Sequence, residues 1–394
     1  MSFSTAYRVD RRLAFAVAVA SLVLLALAIA AGFATSADAH RGKPKVKVMT
    51  RNLYLGADLT PGIQAQDFDQ LKDAAGEILN QVDENKFQVR AKGLATEILR
   101  HKPDLVGLQE VALWRTGPCK VIVPPNPFEA KHVRYDFLKL LLKQLNADGK
   151  QYRAAVVQPE FDFETEANTD GSPDHSCDTN ARLTMRDVIL ARRHAHVKTT
   201  KPHGGHYGTL LQEKVSGIPI GVTRGWTAVD AKVRHSPRFR FVNTHLEAFD
   251  NQPSNHTNQG TDVGNGKVRK AQAQELIAPG GPASGSRPVI LVGDLNSDVK
   301  TQIKPGDGAA DWWLRSHGFV ERSTHNPLGC CLNADVLAVG AGGNASQFDH
   351  KVDHIMTNDP GHVGRARTVV TGRRPHHGFW DSDHAGLFSV LRFH

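Results

Sequence analysis

The stretch PVILVGDLNSDVK, residues 288–300, decides the fold of this chain. Its apolar residues Val289–Val292 follow one another without a polar interruption, which is typical of a strand buried on both faces. The run then meets Gly293 and Asp294, and Asn296 follows two residues later. A carboxylate and a carboxamide directly after a buried strand indicate a polar site at the end of a sheet.

Other apolar runs also adjoin ionisable or amide side chains. Strands alternate with helices, and some strands follow each other directly, which predicts an α/β fold with mixed sheets packed against helices. One acid at a strand end can simply cap a turn. Six such strand endings are more than capping requires, and we expect them to meet in one crevice. They are Asn52, Glu110, His245, Asp294 with Asn296, Asp353, and Asp383 with His384.

The residue types in this set predict a metal site and acid–base chemistry. Carboxylates gathered in one crevice repel one another unless a cation or a proton intervenes. Oxygen donors from these acids and from the amide of Asn52 suit the hard cations Mg²⁺, Mn²⁺ and Ca²⁺. Histidines beside such an ion are suited to transferring a proton or to holding an anionic oxygen.

Six blocks of sequence carry a resemblance to a known family. They are VMTRNLYLG, DLVGLQEV, FVNTHLEA, LVGDLNSD, VDHIM and SDHAGLFSV, in that order. They resemble the endonuclease/exonuclease/phosphatase superfamily, which includes deoxyribonuclease-like and sphingomyelinase-like metal-dependent phosphoesterases, and the chain looks like an exported bacterial member. The resemblance covers nearly all of residues 45–394. It implies a four-layer α/β/β/α sandwich with two mixed β-sheets and the site at one end.

The resemblance implies a metal site built from three residues. Glu110 corresponds to the principal metal carboxylate, Asn52 stands beside it, and Asp383 corresponds to a further acid on the metal side. The expected cofactor is Mg²⁺, with Mn²⁺ or Ca²⁺ as alternatives.

Five further residues correspond to the catalytic residues of the family. Asp294 matches the acid that orients or deprotonates the attacking water, and Asn296 matches the amide that holds this water or the phosphate. His384 matches the histidine that contacts the scissile phosphate, oriented by Asp353. His245 matches a second histidine that contacts the phosphate and could help to protonate the leaving oxygen.

Two arginines are candidates for binding substrate phosphate. Arg186 precedes a strand and could bind a non-scissile phosphate, although the adjacent Asp187 also favours a simple ion pair. Arg269 and Gln272 lie three residues apart and therefore on one helical face. They resemble an R-x-x-Q pattern of several branches of the superfamily, and a solvated helix face is the alternative.

We expect the substrate to be a phosphodiester, with DNA or RNA favoured. The net charge is +8, or +7 without residues 1–39, and it favours encounter with polyanions. The resemblance also implies that a histidine at position 245 is typical of deoxyribonuclease-like, inositol-phosphatase-like and sphingomyelinase-like branches. A sphingomyelinase-type phospholipase C acting on a phospholipid headgroup is the alternative. A phosphomonoesterase and a non-catalytic phosphate-binding module are further alternatives. We infer no obligate protein partner and expect a monomer.

The first 39 residues differ from the rest of the chain. A basic start, an uncharged stretch over residues 13–37 and the sequence ADAH before residue 41 are typical of a secretory signal peptide. The uncharged stretch is also long enough for an uncleaved anchor. Either reading predicts a secreted or extracytoplasmic protein whose enzymatic domain is residues 40–394.

Four cysteines lie in the exported part, where oxidation is expected. They are Cys119, Cys177, Cys330 and Cys331. Because neighbouring cysteines close only a strained ring, Cys119 and Cys177 could pair with each other or with the 330/331 couple.

The local patterns also predict a helix over residues 133–150 and a long surface loop over residues 160–180.

Overall fold

The stretch that ends in Asp294 forms an interior strand of the second of two sheets. This arrangement is seen in a computed structural model that describes residues 43–120, 128–249, 266–300, 308–323, 328–332, 345–358 and 363–394. Pro44–His394 group into one unit. The proposed signal segment, residues 1–39, lies outside the described residues. Within the described ranges, no helix is long and apolar enough to cross a membrane.

The first sheet has eight strands, and only β1 and β2 among them pair in parallel. The order is β15-β16-β1-β2-β6-β3-β4, and β5 pairs with β6 as well. The strands are β1 (Lys45–Asn52), β2 (Leu105–Gln109), β3 (Leu113–Gly117), β4 (His132–Asp136), β5 (Tyr152–Ala167), β6 (Thr179–Arg192), β15 (Val363–Thr371) and β16 (Gly386–Phe393).

The second sheet has six strands in the order β13-β14-β12-β11-β10-β7, of which β11 and β12 pair in parallel. Its strands are β7 (Val197–His206), β10 (Gly225–Val233), β11 (Arg238–His245), β12 (Val289–Asp294), β13 (Val320–Glu321) and β14 (Asp353–Thr357). A separate hairpin consists of β8 (Leu211–Val215) and β9 (Ile218–Val222).

Six α-helices lie within the described residues. They are α1 (Thr60–Gln64), α2 (Phe68–Glu84), α3 (Phe87–His101), α4 (Phe137–Leu145), α5 (Lys267–Ile277) and α6 (Ala309–Ser316), and a short 3₁₀ helix spans Ala345–Gln347. Helix α3 illustrates why they pack: Ala91, Leu94 and Ile98 recur at helical spacing and are fully buried. The helix ends at His101, and the next residue, Lys102, adopts a left-handed conformation before Pro103.

Strand β12 contacts two different cores, as its unbroken apolar run predicts. Ile290 and Val292 point into the core between the two sheets. Val289 and Leu291 point the other way, into a core shared with α5 and α6. A third core joins the outer face of the first sheet to α2, α3 and α4. The fold is therefore a four-layer α/β/β/α sandwich with two mixed sheets, as predicted.

A buried polar contact links the two sheets. Asn243 in β11 accepts a hydrogen bond from the amide of Gln109 in β2, and its own amide donates to the carbonyl oxygen of Leu108 at 3.1 Å. Asn243 and Gln109 are both fully buried. Because buried polar groups are costly unless they are paired, this contact specifies how the sheets face each other.

Two local predictions were wrong. Residues His132–Asp136 pair with β3 as a strand, and the helix begins only at Phe137, where the side chain of Asp136 accepts a hydrogen bond from the backbone N–H of Lys139. Of the loop predicted over residues 160–180, residues 160–167 belong to β5 and residues 179 and 180 to β6, so the loop spans only residues 168–178. Phe161 and Phe163 alternate in β5 with acidic residues, which is the two-residue period of a strand.

The four cysteines form two disulfides. Cys119 and Cys177 are joined with an S–S distance of 2.08 Å, which ties the chain after β3 to the chain before β6. Cys330 and Cys331 are joined to each other. Of the alternatives left open by the sequence, the pairing of Cys119 with Cys177 is the one found.

Candidate active site

Four of the predicted residues lie where parallel strands end. Asn52 is the last residue of β1, and Glu110 follows the end of the neighbouring β2. In the second sheet, His245 and Asp294 end β11 and β12 and are direct partners in the ladder. Parallel neighbours end at the same edge of a sheet, so each pair of side chains is brought together by strand direction.

Three further residues reach the same edge in the opposite way. Asp353 is the first residue of β14, and Asp383 and His384 precede β16. They therefore open strands, and the expectation that each closes an apolar run was wrong. Because β14 runs antiparallel to β12, and β16 antiparallel to β1, the beginnings of these strands meet the ends of their neighbours.

The backbone at the strand ends is unusual. Glu110 and Asn296 have φ values of +53° and +45°, the left-handed region that residues other than glycine seldom adopt. Gly293 has a φ of +147°, and a Cβ placed there would lie 2.0 Å from the carbonyl oxygen of Thr244. Such strained conformations are concentrated at functional sites, and here they turn the chain sharply at the points where the polar side chains emerge.

Asn52 lies at the centre of the cluster. Its Nδ2 donates to Glu110 Oε1 at 3.1 Å and to Asp294 Oδ2 at 3.1 Å, and it lies 3.5 Å from His384 Nε2. Its Oδ1 accepts from the backbone N–H of Tyr54 at 2.9 Å. Asn52 therefore bridges acids from both sheets, and its side-chain nitrogen, not its oxygen, faces them.

His384 is held between carboxylates. Its Nδ1 lies 2.8 Å from Asp353 Oδ2, and its Nε2 lies 3.7 Å from Asp294 Oδ2 and 4.0 Å from Asp383 Oδ1. Burial alone would lower the pKa of His384, but the charges of these three acids raise it well above the ordinary histidine value. His384 is therefore a cationic donor, oriented by Asp353.

His245 has a different environment. Its Nδ1 lies 3.2 Å from Nη1 of Arg224, and its Nε2 lies 3.5 Å from Asp294 Oδ2. Arg224 is in turn paired with the fully buried Glu247, with Nε 3.2 Å from Oε2. Burial, followed by the charge of Arg224, lowers the pKa of His245 to about 3. The two histidines therefore differ in charge.

Arg224 and Glu247 were not among the residues predicted from the sequence. Glu247 stands in the quoted FVNTHLEA block, and Arg224 directly precedes β10. An arginine and a glutamate that both border buried strands are a recognisable signal, because such residues are rarely buried unless they are paired.

Asn296 completes the cluster. Its Nδ2 donates to the carbonyl oxygen of Leu246 at 2.9 Å and lies 3.1 Å from His245 Nε2. Its backbone N–H donates to Asp294 Oδ1 at 2.9 Å. Arg269, in α5, donates to the carbonyl oxygen of Asn296 and to that of Ala248. The structure thus places Arg269 behind the site, where it holds two of its loops.

Arg186 is not brought to the cluster by its side chain. Its guanidinium donates to the carbonyl oxygens of Val111 and Ala112 at 2.8 and 3.1 Å, and it pairs with Asp136 at 2.7 Å. Its partner is therefore Asp136, not the adjacent Asp187. These bonds support the chain directly after Glu110, so Arg186 holds a loop of the site.

The acids of the cluster suit a divalent cation. Burial, followed by the charge of Asp383, raises the pKa of Glu110. Burial also raises the pKa of Asp383, against the opposing charge of His384. One oxygen of Asp294, one of Asp353 and one ring nitrogen of His384 lie within 4.8 Å of one another. The two carboxylate oxygens of this group match the ligand preference of Mg²⁺, Mn²⁺ or Ca²⁺. The group does not include Glu110 or Asp383, the acids predicted to bind the metal.

A comparison with models of protein families shows to which family this chain belongs. Residues 76–384 match the model of the Endonuclease/Exonuclease/phosphatase family. The chain belongs to this family. The match spans every member of the cluster except Asn52, and members of the family are hydrolases of phosphoester bonds.

Solved structures similar to this family member share little sequence with it. An endonuclease/exonuclease/phosphatase from Beutenbergia cavernae DSM 12333 is 16% identical, with 89% of this chain and 72% of that one covered and a TM-score of 0.49. A Bacteroides vulgatus protein of the same description is 15% identical, with 89% of this chain and 100% of that one covered and a TM-score of 0.48. A humanized D. rerio TDP2 is 15% identical, with 88% of this chain and 99% of that one covered and a TM-score of 0.44. No curated protein matches the chain in sequence.

The cluster in this member of the Endonuclease/Exonuclease/phosphatase family combines three kinds of group. Carboxylates can hold a cation and accept a proton, His384 is positively charged, and His245 is neutral. A phosphoester in hydrolysis accumulates negative charge on its oxygens, so donors aimed at those oxygens lower the barrier. The geometry therefore suits phosphoester hydrolysis.

Proposed function

We propose that the chain is an exported phosphodiester hydrolase that depends on a divalent metal ion. The observation that carries the proposal is the convergence of Asn52, Glu110 and Asp383 from one sheet with His245 and Asp294 from the other. Membership of a family of phosphoester hydrolases supports it.

In this proposal Glu110 and Asp383 would hold Mg²⁺, or Mn²⁺ or Ca²⁺, and Asn52 would orient Glu110 through the hydrogen bond from its amide nitrogen. The bound ion would supply positive charge to the phosphate oxygens. Asp294 orients the attacking water and accepts its proton on a carboxylate oxygen.

The remaining groups act on the phosphate. His384 donates to a phosphate oxygen from Nε2 while Asp353 holds its Nδ1. Asn296 and His245 lie side by side, 3.1 Å apart, and act as neutral donors. Each such donor contributes a factor of about 10² to 10³ to the rate.

Nucleic acid, DNA or RNA, is the substrate that the charge of the chain favours. The net charge is +8 for the full chain and +7 without residues 1–39, which carry three Arg and two Asp. This positive charge raises the local concentration of polyanions at the surface. The hydrolase would therefore be a nuclease. We propose that it works as a monomer without an obligate protein partner.

A phospholipid headgroup is the second candidate substrate, as in a sphingomyelinase-type phospholipase C. The observation that favours it is an apolar cavity lined by Trp114, Phe163 and Leu183 among others. The indole N–H of Trp114 donates a hydrogen bond to the carbonyl oxygen of Leu55, and the backbone N–H of Leu55 donates one to Glu110. A nucleic acid has no apolar chain to place in such a cavity.

Export is proposed from the N-terminal sequence and from cysteine usage. The bond between Cys119 and Cys177 is the kind of crosslink that persists in oxidising compartments. Mass determination of the protein recovered from culture medium would test both export and cleavage before residue 40. Retention of an intact chain in the cytoplasm would overturn this part of the proposal.

The activity is tested on one panel of substrates. The purified protein is incubated with plasmid DNA, RNA, sphingomyelin and bis(p-nitrophenyl) phosphate, each with Mg²⁺, Mn²⁺ or Ca²⁺ and each with a chelator. We expect metal-dependent cleavage of at least one phosphodiester, and loss of that cleavage with the chelator. Cleavage that is unaffected by chelation, or cleavage of none of the four, would refute the proposal.

A further inference from the structure

A cavity of about 150 Å³ lies beside the cluster and is lined almost entirely by apolar side chains. Its walls come from α1 and α2, from β3, β5 and β6, and from the hairpin β8–β9. Representative lining residues are Ile63, Ala75, Phe163, Ala181, Leu183 and Ile220. Among the lining residues that the structure describes, Thr165, Glu213 and Arg224 are those with charged or hydroxyl side chains.

Two lining residues connect the cavity to the active site through hydrogen bonds, one of them by way of Leu55. Arg224 lines the cavity, and its guanidinium lies 3.2 Å from His245. Trp114 lines it from the other sheet, and its indole N–H donates to the carbonyl oxygen of Leu55 at 2.9 Å. The backbone N–H of Leu55 donates to Glu110 Oε2 at 2.8 Å. The cavity is thus separated from His245 by the side chain of Arg224, and from Glu110 by the side chain of Trp114 and the backbone of Leu55.

The outer wall of the cavity is anchored to the fold. Val215 of the hairpin packs with Ala65 and Leu71. The next residue, Ser216, donates from its backbone N–H to the carbonyl oxygen of Ala65 at 3.1 Å and from its hydroxyl to that of Asp67 at 2.7 Å. These contacts hold the hairpin over helices α1 and α2, so the cavity is a built feature of the structure.

We infer that this cavity binds a hydrocarbon group of the substrate, an alkyl or acyl chain attached to the phosphodiester, over a length of about six carbons. The size follows from the volume, because an apolar cavity of about 150 Å³ holds a benzene-sized group. The inference rests on the proposed phosphodiester hydrolysis and deepens its second candidate substrate, the phospholipid.

The chemistry of the walls favours a hydrocarbon over a nucleobase. A base buries ring nitrogens and exocyclic groups that need hydrogen-bond partners, and leaving them unpaired is costly. The Arg224 guanidinium is already bonded to Glu247 and His245, and the Trp114 N–H to Leu55. A methylene chain needs no such partners, and each buried methylene strengthens binding.

The test is a chain-length series of alkylphosphocholines from butyl to dodecyl, kept below the concentrations at which they form micelles. With the full-length wild-type protein we expect kcat/KM to rise about fourfold per methylene up to about six carbons and then to level off. Calorimetric binding of the same series measures the cavity even if none of the compounds is hydrolysed. A flat profile in both measurements would overturn the inference.

Variants that resize the cavity provide the control. Ala181→Leu fills the cavity, so we expect a loss of about tenfold with the octyl compound and little change with the butyl compound or with bis(p-nitrophenyl) phosphate. Ile63→Ala enlarges the cavity and should move the plateau to longer chains. Ala147→Leu, on an exposed turn, is the matched control and should leave the profile unchanged.

The outcomes separate the inference from the proposed function. Hydrolysis of bis(p-nitrophenyl) phosphate without any chain-length dependence refutes the cavity assignment and leaves the hydrolase intact. Chain-length-dependent binding without hydrolysis of any phosphodiester refutes the hydrolase and keeps the cavity. If Ala181→Leu instead slows cleavage of a thymidine 5′-phosphodiester, the occupant is a base and the inference is wrong.

Discussion

The guanidinium of Arg224 lies directly behind the ring of His245, with Nη1 3.2 Å from Nδ1. An arginine side chain carries only hydrogen-bond donors, so Nδ1 of His245 must accept. A neutral imidazole carries one proton, and with Nδ1 accepting from Arg224 that proton is on Nε2. It points toward Asp294 Oδ2 at 3.5 Å, so the approach of Asn296 Nδ2 to Nε2 at 3.1 Å is not a hydrogen bond in this tautomer. Because its pKa is lowered to about 3, His245 is a neutral donor over the whole physiological range.

The first prediction concerns the role of His245 in hydrolysis. A neutral imidazole with Nδ1 already occupied can donate to a phosphate oxygen, but it is a poor acid for a leaving group. We expect His245→Ala to lower kcat by about 10² to 10³, by the same factor for good and for poor leaving groups. The measurement is the rate over a series of methyl aryl phosphodiesters that differ in the pKa of the leaving phenol.

A control accompanies this series. Arg224→Lys keeps a positive charge behind the ring, so this variant should follow the wild-type dependence on the leaving group. If His245→Ala lost far more activity with poor leaving groups than with good ones, His245 would be the acid, and the assignment as a neutral donor would be wrong.

The second prediction concerns the carboxylate of Asp294. Asp294→Asn keeps the shape of the side chain but removes its ability to accept a proton from water. We expect kcat to fall by at least about 10² with little change in the urea midpoint of unfolding. Asp298 is a matched control, because it lies in the loop that follows Asp294, is equally buried and accepts hydrogen bonds from the backbone N–H groups of Lys300 and Lys351. Asp298→Asn should retain kcat, and equal losses in both variants would argue against a chemical role for Asp294.

The third prediction concerns the binding of a metal ion by Glu110 and Asp383. Burial raises the pKa of each acid, because a charge without a compensating cation is disfavoured there. We expect Mg²⁺ or Mn²⁺ to raise the melting temperature of the wild-type protein, because a ligand of the folded state stabilises it by mass action. Glu110→Gln should abolish most of this rise. A full metal-induced rise in the variant would exclude Glu110 as a ligand.

The fourth prediction concerns Gly293. Its φ is +147°, and a methyl carbon added to it would lie 2.0 Å from the carbonyl oxygen of Thr244, which leaves no room for a side chain. We expect Gly293→Ala to lower the free energy of unfolding by more than the about 1–3 kcal/mol of a strained backbone, and to reduce activity by displacing Asp294. Gly280→Ala is the control, since Gly280 also has a positive φ but has no atom within 4 Å of the added carbon.

Urea unfolding of both glycine variants separates the two contributions. Gly280→Ala reports the cost of the backbone conformation, and the additional loss in Gly293→Ala reports the contact with the neighbouring strand. If both variants lost the same free energy of unfolding, the contact with the carbonyl oxygen of Thr244 would not contribute to the cost.

The fifth prediction concerns a buried charge cluster beside the loop of Asn296. Glu321 Oε2 lies 2.7 Å from Lys351 Nζ and 2.6 Å from His354 Nδ1, while His354 Nε2 lies 2.8 Å from the carbonyl oxygen of Ser297. Burial alone would raise the pKa of Glu321, but the charges of Lys351 and His354 lower it well below its usual value of 4.5. The cluster therefore stabilises the fold when Glu321 is charged.

The sign of the pH dependence follows from this direction. A carboxylate whose pKa is lowered by folding stabilises the protein above its unfolded pKa, and the stabilisation is lost as the pH falls from 4.5 through the lower folded value. We expect Glu321→Gln to cost about 3–5 kcal/mol at pH 7 and progressively less below pH 4.5. Glu129→Gln, which breaks the more exposed pair with Lys120, should cost at most about 1 kcal/mol. A Glu321→Gln deficit that did not shrink in acid would contradict the assignment.

Strand β12 and the residues at its end could be predicted from the sequence because its pattern is local. A short unbroken apolar run bounded by turn residues is typical of a strand buried on both faces, and Ile290 and Leu291 indeed point into different cores. The loop prediction was wrong over β5, because Asp162 and Glu164 give this strand the acidic composition of a loop. The two-residue alternation of apolar and acidic side chains indicates the strand correctly there, whereas the acidic composition does not.

Other parts of the site depend on strand direction and tertiary pairing, which a single sequence does not encode locally. Asp353 and His384 were predicted at strand ends, but they reach the cluster from strand beginnings because β14 and β16 run antiparallel to their neighbours. The pairing of Arg224 with His245 joins residues 21 positions apart across a ladder. No residue period marks such a contact.

The turn between β10 and β11 has a practical consequence. Gly225 and His245 pair at the active-site end of these strands, and Lys232 and Arg238 pair at the other end. The eight residues of β11 span about 24 Å, so a tether inserted at His235 would be that far from the chemistry. This turn is therefore a suitable attachment point for immobilising the protein on a solid support with its catalytic end facing the solution.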